Sequence, residues 1–217
     1  MRFFTLLLAG FAAHVGAASP PAAKANSQSK VWCGAIASGP KNENIKSVDG
    51  TWTVPSVSPP AGANKTGDYW IKNGTSYYQV WYEFYPDAPV YLKNIHDLKI
   101  TAGNNFYAKV TATDAKSDTI YLQNKLTGKS KSIDVKTTSG SLCFKDAIFV
   151  AEAPHSSMTN ITPLAKFGNT QIGDIKASTF NGTAFNITGA DFRDMYNGTT
   201  RICTSKYVDA SNVNISN

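Results

Sequence analysis

The chain has 217 residues, 17% of them charged, with a formal net charge of +6 at pH 7 and a sequence pI near 9.1. A nucleic-acid-binding surface needs clustered cations with aromatic residues between them. The cations of this chain are scattered, so nucleic acid is not expected as a partner. A weak attraction to anionic surfaces, including cell-wall polymers, is the milder expectation. The three cysteines and three histidines have no metal-ligand spacing, so neither a metal site nor a cofactor is predicted.

Residues 1–18 have the pattern of a secretory signal peptide, with a short basic start, an apolar run and a small-residue cleavage site. The apolar run is too short to span a bilayer as a helix, and no later stretch approaches the length needed. We therefore expect a secreted protein without a transmembrane segment, free or associated with the cell wall. Residues 19–29 are expected to form a flexible leader. Residues 30–217, about 190 in number, are expected to form one domain.

The rest of the chain has the pattern of short β-strands separated by turn residues, and no stretch has sustained helical periodicity. The predicted strands are 30–37, 45–55, 69–71, 79–85, 106–113, 119–124, 129–137, 142–152, 164–167, 171–177 and 202–208. The near-continuous apolar character of 142–152 predicts a central strand. Asn73-Gly74 predicts a tight hairpin turn. Many short strands at intervals of about ten residues predict a sandwich or jelly roll, so the fold class is all-β.

The most distinctive pattern lies in the segment 79–87. Alternation predicts an apolar core face of Val80, Tyr82 and Phe84, and an opposite face of Gln79, Trp81, Glu83 and Tyr85. Pro86 ends the strand because proline cannot donate to a central ladder. An acid flanked by aromatic rings is typical of a binding or catalytic floor. The alternative is a partly exposed face with one solvated glutamate.

Secretion permits disulfides, and three cysteines leave one thiol over. A bond between Cys33 and Cys203, tying the two ends of the domain together, is the first expectation, and a pair involving Cys143 is the alternative. Asn-x-Ser/Thr acceptors predict surface glycans in a secreted eukaryotic protein. The acceptors are Asn64, Asn73, Asn160, Asn181, Asn186, Asn197 and Asn214. Their clustering after residue 180 predicts an exposed, sugar-covered C-terminal end.

Several segments occur in an order that characterises one known family. They are Trp32-Cys33-Gly34-Ala35, residues 48–57, the Trp-Tyr-Glu-Phe-Tyr-Pro-Asp motif at 81–87, and residues 100–103, 124–128, 142–152 and 164–168. Together they resemble the fungal glutamic peptidases, the eqolisin family, over nearly all of the domain. The resemblance implies a concanavalin A-like β-sandwich of two curved antiparallel sheets, of jelly-roll type, with the active site on the concave face.

In that family a glutamate acts as general base on the attacking water, and a glutamine amide orients the water and stabilises the oxyanion. The family's Ala-Glu-Trp-Ile-Val-Glu segment matches residues 147–152, which places Ile148, a residue that cannot take a proton, at the base position. The block that carries the family's glutamine has no counterpart here, where only residues 64–78 are available. The resemblance therefore implies a homologue that has lost peptidase activity.

Three hypotheses follow. The first is a secreted, glycosylated monomer without peptidase activity, whose cleft binds an extended peptide or a polysaccharide. The residues expected at this cleft are Gln79, Trp81, Glu83, Tyr85 and Ile148. The second is an acid endopeptidase with a site rebuilt on Glu83, Glu152 and Gln79. The third is a carbohydrate-binding or carbohydrate-active protein, in which glycoside chemistry depends on the separation of Glu83 and Glu152.

Overall fold

The computed structural model describes residues 25–60, 71–72, 75–76, 78–93, 95–153 and 155–217. The predicted signal peptide, the leader up to residue 24 and the predicted turn at Asn73-Gly74 lie outside these ranges. The strands of the described residues are β1 Ser27–Ser29, β2 Trp32–Ser38, β3 Ile45–Thr53, β4 Ile71–Lys72, β5 Thr75–Ser76, β6 Trp81–Tyr82, β7 Val90–Tyr91, β8 Asn105–Asp114, β9 Ser117–Asn124, β10 Ser130–Lys136, β11 Asp146–Glu152, β12 His155–Ser157, β13 Asn160–Ile161, β14 Asn169–Thr179, β15 Ala184–Phe185, β16 Asp191–Asn197, β17 Thr200–Asp209 and β18 Asn212–Ser216. One turn of 3-10 helix, His96–Leu98, precedes β8. Within the described ranges, no helix has the length and apolar character to cross a membrane.

Twelve of the strands form one continuous sheet that folds into two layers. The strand order is β10-β9-β8-β3-β14-β18-β17-β16-β2-β11, with β1 added to β16 and β15 to β14. The layers join at β17, whose first half pairs with β16 and whose second half pairs with β18. We call the layer of β1, β2, β11, β16 and the first half of β17 sheet A, and the layer from the second half of β17 to β10 sheet B. Except for the parallel pair of β1 and β16, the described strands pair antiparallel. The predicted all-β sandwich is confirmed.

The core lies between the two sheets and follows the alternation of the sequence. In β8 the side chains of Phe106, Ala108, Val110 and Ala112 are buried, and the residues between them are more exposed. This is the two-residue period expected of a strand with one buried face. The hairpin predicted between β9 and β10 is also present, with Ser130 opposite Gln123 at its closed end. Burial of alternate apolar side chains is the main stabilising contribution to such a fold.

Two strand predictions need correction, one in its position in the sheet and one in its existence as a strand. The apolar run at 142–152 was expected to be central, but β11 ends the strand order and pairs, among the described strands, with β2 alone. Its continuous apolar character arises because Phe149 faces the core while Ile148 and Val150 lie half-buried on the outer face. The strand predicted at 164–167 is reduced to a single bridge between Ser58 and Lys166.

The strands β16 and β18 were not predicted, although they lie in the middle of the strand order. Their sequences, Asp-Phe-Arg-Asp-Met-Tyr-Asn and Asn-Val-Asn-Ile-Ser, contain few consecutive apolar residues. The expected exposed C-terminal end is wrong in this respect. Val213 and Ile215 of β18 are fully buried, so the last strand is part of the core.

The folded domain begins before residue 30, because residues assigned to the leader form β1. The side-chain amide of Asn26 donates to Asp194 and to the carbonyl of Ser205, both at 2.7 Å. The Ser27 hydroxyl donates to Asp191 at 2.6 Å. These polar contacts hold residues 26–29 against β16, so this part of the predicted leader packs on the sheet.

Cys33 of β2 and Cys203 of β17 form a disulfide with a Cα–Cα distance of 6.1 Å. Both residues are buried, whereas Cys143 is exposed with a free thiol. The bond closes a separation of 170 residues and links the early strand β2 to the strand that joins the two sheets. This is the pairing that ties the two ends of the domain together.

Candidate functional site

Ile148, the residue expected from the family resemblance at the position of the catalytic base, lies on the outer face of sheet A. Ile148 of β11 is opposite Ile36 of β2, and Ile36 is in turn opposite Asp191 of β16. Val150 follows on the same face, because residues two apart on a strand share a face. Ile36, Ile148 and Val150 are all half-buried. The floor of this face is therefore an apolar patch, which we call the isoleucine patch.

The next row of this face explains the glycine of the Trp-Cys-Gly-Ala motif. Gly34 is opposite Val150 on one side and Arg193 on the other. Its φ is +149°, and a Cβ atom built on it would lie 2.1 Å from the carbonyl oxygen of Phe149 and 2.7 Å from the Cα of Val150. Only glycine permits this close approach of β2 to β11. The motif is thus required by packing beneath the candidate site.

Three carboxylates share the outer face of sheet A, and each has a partner. Asp146 accepts a hydrogen bond from the Ser38 hydroxyl at 2.8 Å. Asp191 accepts from Ser27, as described above, and from Arg193 Nε at 2.6 Å. Glu152 Oε1 lies 3.7 Å from His155 Nδ1. These acids form separate local contacts rather than a shared cluster.

The spacing of these acids along the sheet is large. Asp146 and Glu152 are six residues apart on one strand, about 20 Å at the usual rise. Asp191 is two strands from β11, which places its Cα about 12 Å or more from the Cα atoms of Asp146 and Glu152. Paired carboxylates of glycoside hydrolases lie about 5–9.5 Å apart. Among the described residues of this face, Asp146 and Glu152 are too far apart for such a pair, and Asp191 is already held by Ser27 and Arg193.

The segment around Trp81 alternates as predicted but forms a shorter strand. Phe84 is buried, and Tyr82 packs against the core, whereas Tyr85 is 86% exposed. On the predicted cleft face, Trp81 and Glu83 are half-buried and Gln79 is exposed. The only regular pairing of this segment within the described ranges is the two-residue ladder of β6 with β7.

The end of this motif has a structural role. The Asp87 carboxylate accepts hydrogen bonds from the hydroxyls of Ser139 and Thr137, and these bonds hold the pKa of Asp87 below its ordinary value. The Asp87 N–H donates to the carbonyl of Phe84 at 2.8 Å. The turn after Trp81 is thereby fixed to the loop that follows β10. A satisfied carboxylate of this kind is not available as a base.

The second hypothesis requires Glu83, Gln79 and Glu152 to form one catalytic site. No hydrogen bond or ion pair among the described residues links Glu83 or Gln79 to Glu152. Residues 64–78, which stand where the family has its glutamine block, lie mostly outside the described residues. No group of three metal-ligating side chains was found in the part of the chain that the structure describes.

The predicted glycan acceptors differ in accessibility. Asn64 and Asn73 lie outside the described residues, and the remaining acceptors lie on the surface to different degrees. Those with exposed side chains are Asn160, Asn181 and Asn197. Asn186 and Asn214 are half-buried. Asn186 also accepts a hydrogen bond from the N–H of Thr188 at 2.8 Å.

The most perturbed carboxylate was not singled out from the sequence. Asp49 lies on the outer face of sheet B between its register partners Lys109 and Lys176. Lys109 Nζ is 3.8 Å from Asp49 Oδ2. Burial raises the pKa of Asp49 to about 7, although the two lysine charges oppose part of that rise. The alternation of β3, which puts Asp49 beside Thr51 and Thr53, was the available indication.

With this geometry in place, the chain can be compared with known proteins. The sequence profile of the Peptidase A4 family matches residues 30–72 and 66–217. These two segments cover the described strands from β2 to β18, and the chain belongs to the Peptidase A4 family, the glutamic peptidases or eqolisins.

Two curated relatives are similar over part of their length. Scytalidopepsin B of Scytalidium lignicola is 32% identical over 140 residues, 56% of this chain and 50% of that protein. Aspergillopepsin-2 of Aspergillus niger is 27% identical over 117 residues, 54% of this chain and 40% of that protein. The matches thus span half or less of the length of these relatives.

Solved structures show the same fold. Scytalido-glutamic peptidase with a transition state analog inhibitor superimposes with a TM-score of 0.71 at 23% identity, covering 86% of this chain and 98% of that chain. The eqolisin SCP-B in complex with the tripeptide Ala-Ile-His gives a TM-score of 0.66 at 24% identity, with the same coverage. The aspergilloglutamic peptidase from Aspergillus niger gives 0.59 at 19% identity, covering 78% of this chain and 98% of that chain.

Proposed function

We propose that this chain is a secreted, glycosylated, monomeric member of the Peptidase A4 family that lacks peptidase activity and binds an extended peptide on the outer face of sheet A. The observation that carries the proposal is Ile148 at the position of the family's base, within the isoleucine patch. An aliphatic side chain can contact a substrate, but it cannot accept a proton from water.

The proposed loss of peptidase activity follows from the rate that is lost with each catalytic group. Losing a general base typically costs about 10²–10⁴ in rate. Losing an oxyanion donor costs about 10²–10³, and the two effects together are not strictly additive. The carboxylates of this face are held by Ser38, by Arg193 and Ser27, and by His155, so none replaces the base at Ile148. Between the Val54-Pro55 motif and the Trp81 segment the sequence contains no counterpart of the family's glutamine block.

Peptide binding is supported by the character of the same face. The isoleucine patch is flanked by Trp32 and Glu152 in one row and by the Asp191–Arg193 ion pair on the next strand. An extended peptide presents alternating apolar side chains and polar backbone groups, which such a floor with charged margins complements. The tripeptide complex of SCP-B provides a precedent in a relative for occupancy by a short peptide.

The binding half of the proposal is tested with the tripeptide Ala-Ile-His and the purified mature protein. We expect saturable shifts in an NMR titration, weakened at least tenfold by Ile148→Lys, which places a charge in the isoleucine patch. Ser132→Lys, on the exposed side of β10, is the matched control and should bind like the wild type. Absence of binding at millimolar peptide, or equal binding by Ile148→Lys, would refute this half.

Secretion and glycosylation are supported by the N-terminal pattern and by the exposure of Asn160, Asn181 and Asn197. Expression of the full chain in a yeast secretory host is expected to yield a medium-borne glycoprotein that starts near residue 19. N-terminal sequencing identifies the first residue of the secreted protein, and mass spectrometry before and after enzymatic deglycosylation measures its glycans. Retention of the intact N-terminus inside the cell would contradict the proposal.

A further inference from the structure

A second depression lies on the opposite side of the molecule from the isoleucine patch. It is on the outer face of sheet B and has a volume of about 530 Å³, within the range of about 300–1,000 Å³ usual for small-molecule sites. We call it the polar groove and define it by Thr51, Thr53, Gln171, Gly173, Asn212 and Asn214. It shares no residue with the face where the family's catalytic base would stand.

The floor of the groove is closely packed at Gly173, where the side chain of Asn212 occupies the space that a larger residue would need. Gly173 of β14 is opposite Thr51 of β3, and a Cβ atom built on Gly173 would lie 2.7 Å from Asn212 Oδ1. The Asn212 amide is itself fixed, since it donates to both carboxylate oxygens of Asp209 at 2.8 and 2.9 Å. A β-bulge follows Gly173, a feature that often lies beside functional sites. The depression is therefore built into the strands rather than left between mobile side chains.

The groove offers hydrogen bonds with little net charge. Gln171 and Asn214 are register partners on adjacent strands, and the side chain of neither is hydrogen-bonded to another described residue. The one carboxylate in the lining, Asp174, accepts from the Thr51 hydroxyl at 3.1 Å and lies 3.8 Å from Lys125 Nζ. Its charge is thus balanced within the protein, which leaves amides and hydroxyls to bind a ligand.

An aromatic pair stands beside this floor. Tyr107 of β8 is the register partner of Thr51, and its ring contacts that of Tyr121 at a centroid distance of 5.8 Å in an edge-to-face arrangement. Both tyrosines are half-buried. Amides and hydroxyls next to an aromatic ring match a sugar, which has many hydroxyls, no charge and one apolar ring face. An anionic ligand such as a phosphate would instead need several unpaired cations.

We propose that the polar groove holds a short neutral saccharide. Such a saccharide has two potential sources, which present the same chemical groups. Asn214 is both a groove residue and a predicted glycan acceptor, so a glycan on its side chain would start inside the groove. The other source is a free saccharide from the surroundings of the secreted protein.

The test uses the full chain secreted from yeast, with and without Ser216→Ala. This substitution removes the acceptor motif at Asn214 but alters no groove residue. The probes are triacetylchitotriose, α-mannotriose and cellotriose, measured by isothermal titration. The Ser216→Ala protein is expected to bind at least one probe. Gly173→Val, which fills the floor, and Gln171→Ala, which removes one amide without adding bulk, should each weaken that binding at least tenfold in the same background. Gln28→Ala, an exposed amide on β1, is the matched control and should leave binding unchanged.

The outcomes separate the sources and can overturn the proposal. If the wild type is glycosylated at Asn214 and binds no probe while Ser216→Ala binds, the protein's own glycan occupies the groove. If both proteins bind equally, the ligand is a free saccharide. If Ser216→Ala binds none of the three probes, or if folded Gln171→Ala and Gly173→Val bind as tightly as their parent, the proposal is wrong.

Discussion

The outer faces of the two sheets have opposite chemistry. On sheet A, where the family's base would stand, Ile36 and Ile148 form an apolar floor whose nearest acids are tied to local partners. On sheet B, the buried Asp49 lies between two lysines and adjoins a polar groove. Both faces follow from the same two-residue period. The two faces differ in where their polar groups lie: on sheet A they stand at the margins of an apolar centre, and on sheet B they form the centre itself.

The largest expected change in stability comes from a comparison of the two faces of strand β11. Phe149→Ala removes a fully buried ring and should lower the free energy of unfolding by about 3–5 kcal/mol. Ile148→Ala, on the half-buried outer face, should cost about 1 kcal/mol. Urea unfolding of both variants measures the contrast. An equal cost at the two positions would show that the outer face of sheet A is packed as tightly as the core.

The next effect concerns pH and the outer face of sheet B. The pKa of Asp49 is raised from its ordinary 3.8 to about 7 in the folded state. Between these values the folded protein keeps the proton that the unfolded chain releases. The contribution of Asp49 to stability is therefore fully present below about pH 4 and is lost as pH rises through about 7, a change of about 4 kcal/mol at 1.36 kcal/mol per pH unit.

Asp49→Asn should flatten this pH profile and stabilise the protein most at neutral pH. Unfolding free energies at about pH 4, 5.5 and 7.5 measure the difference from the wild type. Asp134→Asn, at an exposed position on β10, is the control and should run parallel to the wild type. If the unfolding free energy of Asp49→Asn changed with pH in parallel with that of the wild type, the raised pKa of Asp49 would be contradicted.

Two glycines sharpen the comparison further, one beneath each outer face. Gly34→Ala on sheet A meets backbone atoms at 2.1 and 2.7 Å and requires an unusual φ, so it should cost about 2–4 kcal/mol. For Gly173→Ala on sheet B the close contact is a side-chain oxygen of Asn212 rather than backbone. Asn212 is held by Asp209, so the substitution should cost about 1–2 kcal/mol, in the lower part of the range for overpacking. Thermal melts of the two variants provide the measurement. If Gly173→Ala lowered the melting temperature more than Gly34→Ala, the strands would not approach more closely at Gly34 than at Gly173.

The smallest expected effect is at the acid that a rebuilt site would use. Glu152 is exposed and faces His155 at 3.7 Å, and exposed pairs of this kind contribute about 0–1 kcal/mol. Glu152→Gln should therefore leave the melting temperature almost unchanged. A marked loss of stability would mean that Glu152 has a buried partner and a structural role.

Local pattern predicted much of the fold. The alternation of β8 and the inward position of Phe84 follow from side chains that must be buried on one face. The strands at the C-terminus were missed because Arg193 and Asp194 interrupt the apolar pattern, although Asp194 is buried with hydrogen bonds from Asn26 and Ser205. Such partners lie far apart in sequence, and no local period contains them.

The candidate site was predictable only in part. The proposed replacement of the base by Ile148 rests on the sequence alone, because its neighbours resemble the family segment. The raised pKa of Asp49 is not, since it depends on burial under strands that pair it with Lys109 and Lys176. The polar groove depends likewise on Gly173 standing opposite Thr51, a matter of register between distant strands.

The central claim is the absence of peptidase chemistry on sheet A, and the most direct test is cleavage of a denatured mixed protein substrate by the mature protein, scanned from about pH 2 to 7. Glu83→Gln and Glu152→Gln variants are measured alongside the wild type, with scytalido-glutamic peptidase as the active reference. The account predicts turnover at least about 10⁴-fold below the reference at every pH, with no difference between the wild type and either variant. Substantial cleavage at acidic pH that disappears with Glu83→Gln or Glu152→Gln would contradict it and show a rebuilt active site.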